Sequence, residues 1–192
     1  MSGDRLNLPI FNSAGENTMR IRPLEPGEFD ASLAPVLEDI LRLRGTVYNL
    51  HRVLAHSPKA LRAFMTFSAY VRDEADLSPR LRELAVLRVA TLHNVAYEIA
   101  QHQGPAKRAG LTQEQIANVA NWREHVDIFE PQDRAVLQFA EETASTFRVS
   151  DATFSTASQY LSESEMVDLA LVVGWYLLCA SVLVPFEIEL ED

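Results

Sequence analysis

One stretch near the end of this 192-residue chain limits what it can fold into: an almost unbroken apolar run from Met166 to Phe186. Ser162 and Glu165 just ahead of it form a capping box, which marks a helix start. Leu169, Leu171, Val172, Trp175, Leu178 and Val182 fall at every angle of a 3.6-residue period, and a helix apolar all round has to be covered all round. Asp168, Gly174, Ser181 and Pro185 interrupt the run, and no basic cluster flanks it. That pattern favours a buried protein helix over a membrane span. A second apolar demand comes from Phe64, Met65 and Phe67, and from Leu84, Val86, Leu87 and Val89. Two broad apolar helices are covered more easily across subunits than by short acidic helices, so a homo-oligomer is expected.

The rest of the chain is read as helix as well. Residues 1–19 are polar and aperiodic and are expected to form an extended or mobile arm. Residues 20–192 are expected to form a single domain. Val36, Leu37, Ile40 and Leu41 give a helical stripe that Gly45 should close. Ser57-Pro58 and Ser78-Pro79 are start signals, Gly110 is a stop, Thr112 with Gln115 is a second capping box, and Pro131 and Ser150 open later helices. No apolar/polar alternation exceeds four residues and no hairpin dipeptide occurs. The expectation is an all-α domain of about seven or eight helices joined by short loops.

Charge and cysteine content narrow the function. With Lys plus Arg at 17 and Asp plus Glu at 27, the formal net charge is -10, which repels phosphate backbones. Arg42, Arg44 and Arg52 are too few to make a basic patch, so no nucleic-acid partner is expected. Cys179 is the single cysteine and reads as a small core residue on the apolar helix. The N-terminal residues MSGDRLNLPIFNSAGENTMR lack an apolar segment and carry early acids, which leads us to expect a soluble, cytoplasmic protein with no membrane partner.

The sharpest local feature is YEIAQH. Glu98 and His102 stand one helical turn apart, with no lysine or arginine at helical spacing from either. They read either as a solvated intrahelical pair or as a partly buried acid/base pair, and Val95, Ala96, Ile99 and Ala100 favour burial. His93 could join them as a third metal ligand, but it falls on another side of a continuous helix. Glu83 lies 19 residues before His102, a separation of about 28 Å on one straight helix. It reads as a surface acid paired with Arg80 or Arg82 unless the chain reverses at Thr91–Asn94, where Asn94 could cap a new helix. Trp175 reads as core; His51 and His56 read as ordinary loop or helix-end residues.

The stretch LSPRLRELAVLRVATLHNVAYEIAQHQGPAKRAGLTQEQIANV, with LAHSPKALRAFMTF before it, resembles the carboxymuconolactone decarboxylase family and its alkylhydroperoxidase D-like superfamily. The likeness runs from about Arg20 to the end and is most specific at Arg82-Glu83-Leu84, Arg88, Tyr97-Glu98, His102 and Ala109-Gly110-Leu111-Thr112. It implies a compact helical fold assembled as trimers or hexamers, with no metal and no cofactor. The peroxidase branch carries a Cys-x-x-Cys pair ahead of the histidine, and those positions fall here on Val95 and Glu98. Dithiol reduction of peroxide needs both sulfurs, so only a peroxiredoxin-like label, not the chemistry, is implied. The decarboxylase branch carries the glutamate and histidine. It implies a lyase acting on a small acidic lactone or keto acid, with catalytic residues His102, Glu98 and Glu83. Tyr97, Tyr176 and Arg88 are the candidate substrate contacts, Arg88 as the cation for an acidic group. The rival reading is a non-catalytic oligomeric binding protein with a vestigial site.

Overall fold

Most of the helices begin where the backbone chemistry asks them to. In the computed structural model, which describes residues 18–191, helices α3 (Pro58–Ala69), α4 (Pro79–Leu92) and α7 (Pro131–Thr146) each open on a proline at the first turn. A proline there lacks only an N–H that the helix could not have used. Side-chain caps open α6 (Gln113–Asn118) at Thr112, α8 (Asp151–Ala157) at Ser150 and α9 (Glu163–Leu183) at Ser162. Gly45, at φ 76°, closes α1 (Ala34–Arg44), and α2 (Asn49–Leu54) follows. With α5 (Ala96–Arg108), nine helices lie among the described residues; seven have seven or more residues, and no strand occurs among them. The expected arm lies outside the described residues, apart from Thr18 and Met19.

Helix α4 is the axis of the domain. It packs against α5, α7 and α9, and Leu84, Ala85, Val86, Leu87, Val89 and Ala90 are all buried. The helix covered on every side is therefore α4. The apolar helix α9 departs from the sequence expectation: Leu169, Val172, Val173 and Leu183 are buried, while Val167, Leu171, Leu178 and Val184 are exposed within the one chain. By length and composition α9 could cross a membrane. Here its buried half packs on α4 and α7. Its Asp168 accepts hydrogen bonds from Tyr70 and from the backbone N–H groups of Asp76 (2.6 Å) and Leu77 (3.1 Å). A second, smaller core of Leu24, Leu33, Ile40, Ala55 and Leu61 ties α1 to α2 and α3.

The turn between α4 and α5 sets the geometry of everything that follows. Asn94 takes a left-handed conformation, φ 53°. Val95 N–H donates back to Ala90 O at 2.9 Å and Asn94 N–H to Thr91 O at 3.4 Å, which is the Schellman pattern of a helix stop. The sequence pointed to a reversal here, but with Asn94 as the cap of the next helix. Val95 holds that position instead, without a side-chain cap, and Asn94 serves because its short polar side chain tolerates the left-handed region. Asn94→Val should therefore cost about 1–2 kcal/mol in urea unfolding, and Asn94→Gly less than about 1 kcal/mol in either direction. Equal losses for both would mean that the backbone conformation at this turn is not what matters.

Candidate functional site

The reversal lays α5 antiparallel to α4 and brings Glu83 to His102. The imidazole Nδ1 is 2.7 Å from Glu83 Oε2, and Nε2 is 3.3 Å from Glu98 Oε2. All three side chains are buried. Glu98 and His102 share a face of α5 because they are one turn apart; Glu83 arrives from the other helix. Arg80, offered by the sequence as a partner for Glu83, pairs with buried Asp133 instead. Arg82 stays near Glu83, with Nε 3.6 Å from Oε1.

Burial alone would strip the proton from His102. The carboxylates of Glu83 and Glu98 outweigh it and raise the imidazole above its ordinary 6.5. Burial alone would likewise raise Glu83, but His102, then Arg72 and Arg82, hold it below 4.5. The two effects have opposite pH limits. The raised imidazole stabilises the fold fully below 6.5 and loses that contribution as pH rises through its folded value. The depressed carboxyl contributes above 4.5 and loses its contribution as pH falls through its folded value.

The pair opens on a cavity of about 430 Å³ lined by Glu98 and His102, with Tyr97, Trp175, Tyr176 and Cys179. Glu83 is not in the lining and stands behind the imidazole. Tyr176 meets the His102 ring edge-on, 5.0 Å between centroids. Its phenol is pushed up by burial, so it stays protonated, and it has no hydrogen-bond partner among the described residues. Tyr97 donates to Glu191 Oε1 at 2.7 Å and Gln101 donates to Glu191 Oε2 at 2.8 Å, so the C-terminal segment closes one side.

Three placements differ from the sequence reading. Arg88 does not reach the site: it binds Glu141 (2.6 and 3.0 Å) and the Ala120 carbonyl (2.9 Å), because its position on α4 faces α7. Cys179 is buried as expected yet lines the cavity, and burial, then Glu98, push its thiol well above the ordinary range. His51 is no ordinary helix-end residue; it is buried, lines the cavity and is lowered to about 4 by burial, then by Arg44 and Arg72. Arg72 also lines the cavity, from a π-helical turn (Tyr70–Glu74). Nothing in the local pattern marked it, since a widened turn redirects a side chain without a spacing signature. His93, the third ligand of the metal alternative, is exposed at the turn.

Comparison with known proteins agrees with this architecture. The sequence pattern of the carboxymuconolactone decarboxylase family matches residues 58–142. An uncharacterized protein of Bacillus subtilis (strain 168), YdfG, is 25% identical over 120 residues, spanning 62% of this chain and 80% of its own. Among solved structures, the alkylhydroperoxidase AhpD core of an uncharacterized peroxidase-related protein from Ralstonia eutropha superposes with a TM-score of 0.80 at 19% identity, over 93% of this chain and 95% of that one. A variant of the debrominase Bmp8 in complex with 2,3,4-tribromopyrrole superposes with a TM-score of 0.76 at 16% identity, over 90% and 91%.

Replacing Glu83 by Gln leaves a buried imidazolium without its nearest counter-charge. The loss should be on the order of 3 kcal/mol by urea unfolding. It should be largest between 4.5 and 6.5, where both contributions are present, and should shrink as pH rises through the raised imidazole value. A loss independent of pH would mean that packing, not charge, accounts for the effect.

Proposed function

We propose that the chain, whose residues 58–142 match the carboxymuconolactone decarboxylase family and whose fold is that of the alkylhydroperoxidase D-like proteins, is a cofactor-independent acid/base enzyme acting on a small acidic lactone or keto acid. The observation that carries this reading is one imidazole held between two carboxylates, one behind it and one at a cavity wall. Glu83 at Nδ1 fixes the ring and supports its charge, which leaves the Nε2 side as the proton-transferring edge. In loss of carbon dioxide from a lactone acid, the carbon–carboxylate bond breaks and its electron pair moves into the lactone carbonyl. The resulting enolate then takes a proton at carbon. His102, with Glu98 beside it, supplies that proton and is recharged from water. The Tyr176 hydroxyl is a donor for the enolate oxygen.

Thiol peroxidase chemistry does not suit these residues. Val95 and Glu98 occupy the places of the cysteine pair, and Cys179 is buried, single and protonated. The non-catalytic alternative, a binding protein with a vestigial site, is disfavoured by a cavity that includes both His102 and Glu98. We also infer a homo-oligomer. The exposed half of α9 lines an apolar groove against α3, between Phe67 and Leu178, and a second copy of the chain would cover it. The family resemblance suggests a trimer or a hexamer.

Incubation with muconolactone-type acids and 3-oxo acids in heavy water, followed by mass spectrometry, tests the acid/base reading. Carbon dioxide release or deuterium uptake at carbon should fall about 10²–10⁴-fold in His102→Ala, compared with the wild type at a temperature where circular dichroism shows both folded. Glu98→Gln should lower the rate and shift its pH profile. No turnover or exchange on either class, or turnover undiminished in His102→Ala, would remove the proposal. Alkyl hydroperoxide with a dithiol donor should give no turnover; robust turnover that persists in Cys179→Ser would contradict the exclusion of peroxidase chemistry. Light scattering should give a multiple of the 21.5 kDa chain mass, and a stable monomer would refute the assembly.

A further inference from the structure

The cavity holds a second group of polar residues that the acid/base reading does not use. Arg44, at the end of α1, and Arg72, in the π-helical turn after α3, both line it, as does His51 of α2. The lining contains three arginines, these two and Arg108 at the exposed rim, against a single carboxylate, Glu98, which faces His102. In a chain of formal net charge -10 this is a local inversion of sign.

The two inner guanidiniums differ from the other buried or half-buried arginines. Arg80 is paired with Asp133, Arg88 with Glu141, and Arg52 with Glu25. Arg44 and Arg72 have no hydrogen bond or ion pair from their guanidiniums among the described residues. They are near enough to oppose each other: burial, then Arg72, lower Arg44, and Asp73 offsets only part of this. Burial lowers Arg72, but Tyr176, Glu83 and Glu98 more than restore it. His51 is 6% exposed, and its Nδ1 has no hydrogen-bond partner among the described residues. Two like charges and an unsatisfied imidazole nitrogen converging on one cavity are costly when the cavity is empty and are relieved by an anion.

We propose that Arg44, Arg72 and His51 form a carboxylate-binding subsite in this cavity, placed to hold one acidic group of the ligand while His102 and Glu98 act on the rest of it. The assignment rests on the acid/base reading only for what happens at His102; the subsite itself is a binding claim. It also restricts the substrate. A carboxylate neutralised by two guanidiniums is stabilised in the ground state and is a poor leaving group, so the held group is not the one lost. Planar carboxylate matches the forked donors of arginine, and a neutral His51 completes the site without adding a third charge. Binding neutralises the local field, so the His51 proton affinity should rise from its depressed value when the anion is present, the charged groups around it being Arg44 and Arg72, with the Tyr48 ring 5.7 Å away.

The test uses the full chain, with cis,cis-muconate as the probe and its dimethyl ester as the uncharged control, followed by calorimetry and by histidine NMR. Muconate should bind, the ester roughly 10- to 100-fold more weakly, and the His51 resonance should titrate at higher pH in the muconate complex. Arg72→Gln and Arg44→Gln should each weaken muconate by roughly 10- to 100-fold, Arg72→Lys should recover part of the loss, and Arg42→Gln on the outer face of α1 should change nothing. His102→Gln should remove the acid/base chemistry, while muconate binding to that variant should still depend on Arg44 and Arg72. Turnover absent with arginine-dependent binding intact would sink the enzyme reading and keep the subsite; turnover present with affinity indifferent to Arg44 and Arg72 would do the reverse. Equal binding of acid and ester, no muconate binding at millimolar concentration, or an unmoved His51 in the saturated wild-type protein overturns the subsite even if an arginine variant fails to fold.

Discussion

The contact between Glu83 and His102 carries the organisation of this domain. It joins the buried central helix to the helix that returns along it, at 2.7 Å, with both partners out of water. An imidazolium in such a place is untenable alone, and so is a carboxylate; each makes the other affordable only because the turn at Asn94 brings the two helices into register. The same contact fixes which edge of the ring faces Glu98 and the cavity. Stability and chemistry thus converge on one pair.

Charge is arranged in layers around that pair. Glu83 lies behind the ring, Glu98 at the cavity wall, and Arg72 close enough to support the ionised form of Glu83. Arg72 in turn helps keep His51 neutral. The cavity therefore offers a protonated imidazole at one place and two guanidiniums without a hydrogen-bonded carboxylate among the described residues at another, a distribution suited to a ligand with an acidic group and a carbon to be protonated. Cys179 is near the same groups, but burial and Glu98 keep it protonated.

Much of this was legible in the sequence where the cause is local. Ser57-Pro58, Ser78-Pro79, the Thr112–Gln115 and Ser162–Glu165 boxes and Gly45 mark helix ends that the structure keeps, because caps act within one turn. Glu98 and His102 were legible for the same reason. Glu83 was conditional on a reversal, and the polar His93-Asn94 step gave the right place but the wrong role for Asn94. Arg88 looked available because the sequence cannot show that Glu141, 53 residues away, will take it. Arg72 and His51 gave no signal, since their shared cavity exists only after α2, α3 and α5 have packed. The long apolar helix was legible as a helix, but not the asymmetry of its burial; α4, more mixed in sequence, is the one enclosed on every side.

The central claim is that His102 is a buried, charged imidazole poised by two carboxylates. Histidine ring NMR across pH on the full chain reads this directly, with the assignment taken from loss of the signal in His102→Gln. The account predicts that His102 titrates above 6.5, with both ring nitrogens protonated on the acid side of that transition and Nδ1 retaining its proton beyond it. A His102 that titrates at or below 6.5, or that stays neutral while the fold is intact, would contradict it.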